Sequence, residues 1–127
     1  MNKVVHFEIP YDDQDRATKF YREVFGWQIT KFPDMDYHLA ITTPSDEKTG
    51  PKEPGAINGG MLKKDPTGEH PLIVIDVPSI DDHIKKITES GGKVVMPKME
   101  VGTYGLYARV SDTEGNVIGI WQTLGPC

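Results

Sequence analysis

Asp15-Arg-Ala-Thr-Lys-Phe-Tyr-Arg-Glu-Val-Phe-Gly-Trp27 is the stretch that decides the fold. Ala17, Phe20, Tyr21, Val24 and Phe25 follow the i, i+3, i+4, i+7, i+8 series of one helix face. Gly26 comes next, where a left-handed cap suits a residue with no Cβ. Trp27-Gln-Ile-Thr-Lys-Phe32 then changes to period two, the mark of a strand. Upstream, Val4-Val-His-Phe-Glu-Ile9 alternates as well, and Asp13 can cap the helix, with Asp12 and Asp15 as alternatives. The unit is strand, helix, strand.

Outward from it, the first strand covers about residues 3–9, with a turn at Pro10-Tyr-Asp-Asp13. Tyr37 to Thr43 and the glycine-interrupted Ala56-Ile-Asn-Gly-Gly-Met-Leu62 predict further strands. Between them Pro44 to Gly55 reads as a long mobile loop of the kind that serves as a lid or binding loop. The same order then repeats. Leu72–Val77 is a strand, Ile80, Ile84 and Ile87 mark a helix stopped by Gly91-Gly92, and strands follow at 93–96, 104–110 and 117–123. Asp112-Thr-Glu-Gly-Asn116 joins the last two as a hairpin. Ile9-Pro10 matches Val77-Pro78, and Gly26 matches Gly92, so the chain divides into two βαβββ modules. Module one is 1–62, the connector 63–69 and module two 70–124, all within a single domain spanning 1–127.

The totals fit one soluble domain. Of 127 residues 37% are hydrophobic and 26% charged, and a net charge of -5 disfavours nucleic acid or an anionic membrane as partner. No apolar run reaches the roughly 20 residues that span a bilayer, and no signal peptide precedes the first strand, so the expected compartment is the cytoplasm. The single cysteine, Cys127, allows no internal disulfide and no cysteine-rich metal site. Gly-x-Ser-x-Gly and phosphate-loop signals are absent from the sequence.

His6-Phe-Glu-Ile-Pro10, Arg16-Ala-x-x-Phe-Tyr-x-x-Val-Phe-Gly-Trp27, Ile57-Asn-Gly-Gly-Met61 and Asp112-Thr-Glu-Gly-Asn-Val-Ile-Gly-Ile-Trp121 together resemble the vicinal oxygen chelate superfamily. That superfamily includes glyoxalase I, bleomycin- and fosfomycin-resistance proteins and extradiol dioxygenases. Within it, the sequence looks most like the small lactoylglutathione lyase-related proteins. The resemblance implies an α+β fold in which two βαβββ modules form a curled eight-stranded sheet, helices outside, around a cavity. It also implies a homodimer and a small-molecule ligand or substrate. Metal-dependent members place four ligands on strand positions, one on the first and one on the last strand of each module. Here His6 matches the first, Asn58-Gly59-Gly60 covers the second, the third falls near Leu72 with His70 in the preceding connector and Asp76 further along, and the fourth is Gly119. Glycine brings no donor, so a metal-independent protein is expected, with a divalent ion (Zn, Ni, Mn or Fe) as the alternative.

The site candidates follow from alternation. His6 and Glu8 share the face of strand one opposite Val5, Phe7 and Ile9. They are catalytic candidates, or a hydrogen-bonded structural histidine and a salt-bridged carboxylate. Arg109 and Tyr107 lie opposite Leu106, Ala108 and Val110; Arg109 is an anion anchor or an exposed strand charge. Trp121 shares a face with Gly119, and with Tyr37, Asn58 and Met61 it completes the ligand-binding candidates, each of which could instead be packing. His38, His70 and His83 read as surface residues. Two functions compete. One is a metal-independent protein that binds or transforms a small aromatic or amphipathic molecule in the cavity between the modules. The other is a glyoxalase-type lyase or isomerase that uses a metal.

Overall fold

The computed structural model describes residues 1–46 and 49–124, so Cys127 lies outside the described residues. The contacts divide the chain into two units, one of His6–Pro71 and one of Leu72 onward together with Met1–Val5. The expected class is the one found. It is α+β, with a βαβββ order twice and eight sheet strands, four to a module, in mixed parallel and antiparallel pairing.

In the first module β1 (Val4–Tyr11), α1 (Gln14–Phe25), β2 (Gln28–Lys31), β3 (His38–Ile41) and β6 (Gly59–Lys63) give the strand order β2-β3-β6-β1, with β1 and β6 parallel. Asp13 is the N-cap of α1, its carboxylate accepting from Arg16 N at 2.9 Å, and Gly26 closes the helix at φ 71°. The core beneath α1 is Tyr11, Ile29, Ala40 and Met61, with Phe7, Ile9, Ala17, Tyr21 and Trp27 packed against it. Two boundaries differ from the sequence expectation. β1 runs on through Pro10, which needs no N–H at its position beside Leu62, and carries Tyr11 into the core. The Pro44–Gly55 segment is not structureless: β4 (Ser45–Asp46) and β5 (Gly50–Pro51) pair as a short antiparallel ladder.

In the second module β7 (Leu72–Asp76), α2 (Ile80–Glu89), β8 (Lys93–Val101), β9 (Gly105–Ser111) and β10 (Val117–Thr123) give the order β7-β10-β9-β8. Val77, Ile80, Ala108, Val110 and Ile120 form the core, and Ile84, Ile87 and Ile118 pack against it, so the isoleucine stripe of α2 does face the sheet. β8 extends past the expected Met96. Pro97 interrupts its ladder, with register shifts between Val94 and Met96 and between Met96 and Met99. An outer strand accommodates such a bulge. Lys3 O accepts from Asp76 N at 2.9 Å, which ties the N-terminal residues to this module. No helix among the described residues is long and apolar enough to cross a membrane.

Candidate functional site

Because Phe7, Ile9 and Tyr11 face α1, strand alternation turns His6 and Glu8 to the opposite side of the first module's sheet. Glu8 pairs with Gly60 across the parallel ladder and is only 5% exposed. Tyr37, just before β3, lies over Gly60: a Cβ on that glycine would collide with the phenol hydroxyl. That hydroxyl is 2.7 Å from His6 Nε2, and the two rings are nearly parallel, 17° apart. Burial lowers the His6 pKa below its usual value by disfavouring the charged imidazolium, and the Glu8 carboxylate opposes part of that shift. At neutral pH the imidazole is therefore uncharged, and its Nε2 is engaged by a phenol.

The second module repeats this pattern with other residues. Ala108, Val110 and Ile120 lie under α2, which leaves Tyr107, Arg109, Gly119 and Trp121 on the other face. Gly119 is opposite Arg109, and Trp121 opposite Tyr107. A Cβ on Gly119 would stand 2.7 Å from the Tyr107 hydroxyl. Arg109 Nε donates to that hydroxyl at 3.1 Å, and the guanidinium carbon lies 5.8 Å from the Tyr107 ring centroid. With 2% exposure, Arg109 is not an exposed strand charge. Val74, beside Gly119 in the parallel ladder, and Leu72 two residues earlier are buried, and Asp76, beside Trp121, adds a half-buried carboxylate to the face that holds Arg109. Trp121 is half-buried, its indole lying over Gly105 and donating to Thr123 Oγ1 at 3.1 Å.

The remaining candidates are placed differently. Met61 is fully buried in the core beneath α1, so it packs there and lines no ligand wall. Asn58 braces the chain: its carbonyl accepts from Thr42 N at 2.9 Å and its amide donates to Ser45 Oγ at 2.7 Å. His38 is not a surface residue. It is 4% exposed, its Nε2 is 3.1 Å from Gln14 Nε2, and its buried Nδ1 finds no hydrogen-bond partner. Its alternation with the buried Ala40 was the signal available in the sequence. His83 Nδ1 is 3.2 Å from Ser79 O, and His70 lines an open depression of about 500 Å³ with Asp12, Lys64, Asp65, Pro66 and Glu69. The Tyr37–Gly60 and Tyr107–Gly119 stacks were not foreseen, since nothing in a sequence pairs a ring with a distant glycine.

A sequence model of the Glyoxalase/Bleomycin resistance protein/Dioxygenase superfamily matches residues 3–120. The chain belongs to that superfamily. It is 30% identical over 117 residues to the proteins named "Putative glyoxylase CFP32" in Mycobacterium bovis and Mycobacterium tuberculosis. The match covers 87% of this chain and 41% of each relative, so the chain spans about two fifths of their length. Protein BH1468 from Bacillus halodurans has a similar fold, with a TM-score of 0.65 at 17% identity, covering 99% of this chain and 97% of that one. Streptomyces coelicolor methylmalonyl-CoA epimerase, solved with 2-nitronate-propionyl-CoA, gives 0.65 at 15% identity over 98% and 99%. The Mycobacterium tuberculosis epimerase gives 0.60 at 14% identity over 94% and 87%.

Metal-dependent members of the superfamily set the test for an ion. His6 keeps a side chain suited to coordination at the first position, whereas the Asn58 amide is taken up by Thr42 and Ser45 and His70 lies in a depression with Asp12 and Lys64. Gly60 and Gly119 are covered by tyrosine rings, and Leu72 is buried and apolar. Among the described residues, no three His, Cys, Asp or Glu side chains are grouped to hold a metal. The residues present do not fit the superfamily's ion.

Proposed function

We propose that this superfamily member binds, and in its active form transforms, a small carbonyl-bearing or aromatic molecule on the face of its sheet away from the helices. It does so without a resident metal ion. The observation that carries this proposal is that Gly119 at the expected fourth position, and Gly60 in the stretch expected to hold the second, each lie under a tyrosine whose hydroxyl bonds a neighbouring polar side chain. The second module's face, with Tyr107, Trp121, Leu72 and Val74 around Arg109 and Asp76, suits an amphipathic ligand better than a bare ion. The glyoxylase name carried by the 30%-identical relatives supports a small carbonyl compound as the substrate class. In such chemistry Arg109 is competent to anchor an anionic group, while Tyr107 and Trp121, on the same face of the second module, supply apolar wall. The protein is further proposed to act as a homodimer.

Two measurements test this. Elemental analysis of tag-free protein is expected to find well under one Zn, Ni, Mn or Fe per chain; about one tightly held ion, lost in His6→Ala, defeats the metal-free proposal. Small aromatic and dicarbonyl compounds are then titrated while tryptophan emission is followed. Quenching is expected in wild type and Trp27→Phe but not in Trp121→Phe. If Trp121→Phe binds as tightly as wild type, with heat of binding as the independent readout, the ligand sits elsewhere.

A further inference from the structure

We infer that Tyr37 is the residue that keeps a divalent cation off His6: its ring lies on the backbone of Gly60, and its hydroxyl holds the Nε2 edge a metal would need. This rests on the metal-free function proposed above and supplies its cause. A metal–imidazole bond is about 2.0–2.1 Å long and uses the Nε2 lone pair. With the phenol oxygen 2.7 Å from that nitrogen, an ion and the hydroxyl cannot occupy the same direction. Nor is the ring loosely placed. It rests where a Cβ of residue 60 would be, it lies parallel to the imidazole, and Tyr37 O accepts from Phe32 N at 2.8 Å.

A glycine at position 60 and the tyrosine at 37 therefore depend on each other. Any side chain at 60 would evict the ring, and the ring in place excludes an ion from a histidine that otherwise matches the superfamily's first ligand. Metal is shut out by an occupied coordination position, in addition to the lack of donors. Glu8, on the same face and close enough to influence the His6 pKa, is the second donor such an ion would meet.

Cobalt(II) provides the test, because its paramagnetism broadens the signals of whatever ring it reaches. The His6 imidazole signals of tag-free protein are assigned with His6→Gln and followed as Co²⁺ is added. In wild type a tenfold excess is expected to leave them sharp. In Tyr37→Phe, which keeps the ring and removes the hydroxyl, they should broaden at least fivefold more, and the effect should vanish in Tyr37→Phe/His6→Gln. Tyr37→Leu is expected to behave like Tyr37→Phe and serves if the phenylalanine variant does not fold. Equal broadening in wild type and variant, or none in either variant, overturns the inference. The second outcome leaves the metal-free function standing, whereas a stoichiometric ion in purified wild type removes that function by itself.

Discussion

Burial strips water from the His6 imidazole, and the Glu8 carboxylate makes up only part of the lost charge stabilisation. The folded-state pKa is thus below the unfolded value of about 6.5. As pH falls through about 6.5 the unfolded chain takes up a proton that the folded chain still refuses, so the folded state loses stability. The loss grows until the lowered folded pKa is reached; above about 6.5 this group adds no pH dependence. Thermal unfolding between pH 8 and 5 should therefore show a flatter profile for His6→Gln than for wild type below pH 6.5. Parallel profiles would mean that His6 is not held neutral by the fold. His6 and Arg109 were both legible as candidates, because one residue of offset on a strand decides which face a side chain takes. How each is used was not legible. The Tyr37 hydroxyl reaches His6 from 31 positions away, and such a distance carries no periodicity.

The elements separate what pattern reveals from what contact decides. Helix α1 was readable at both ends because a capping aspartate and a left-handed glycine are local devices. Strand ends were less so: β1 and β8 continue through prolines that only their pairing makes tolerable. The pairing of β3 with β6 gives the sharpest test of the tyrosine stacks. Gly60→Ala forces a Cβ into the Tyr37 ring, and overpacking of this kind costs about 1–3 kcal/mol. Urea unfolding should show that cost in the wild-type background and most of it gone in Tyr37→Ser, where the ring is absent. An equal cost in both backgrounds would mean that the ring does not depend on the glycine. The apolar stripe of α1 shows a different limit of pattern. Ala17 and Tyr21 meet the core, but Phe20, Val24 and Phe25 are 52%, 56% and 59% exposed. The stripe is wider than the sheet beneath it, so periodicity located the apolar face without showing how much of it the module covers.

For the whole molecule, that uncovered stripe bears on assembly. Phe20 and Phe25 contact edge to face, their ring centroids 6.2 Å apart, and with Val24 they form an exposed apolar patch on one helix. Patches of this kind commonly mark interaction surfaces. Sedimentation at tens of micromolar is expected to give a dimer for wild type and a monomer for Phe20→Asp with unchanged secondary structure. A wild-type monomer removes the homodimer, and a Phe20→Asp dimer moves its interface off α1. The division of the chain has its own consequence for synthesis. Met1–Val5 belong with the module that begins at Leu72, and Lys3 bonds Asp76. During synthesis residues 1–5 are thus made well before the strand from Leu72 that they join, while the rest of β1 can already pair with β6. A change confined to residues 1–5 therefore acts first on a module whose own strands are made some seventy residues later.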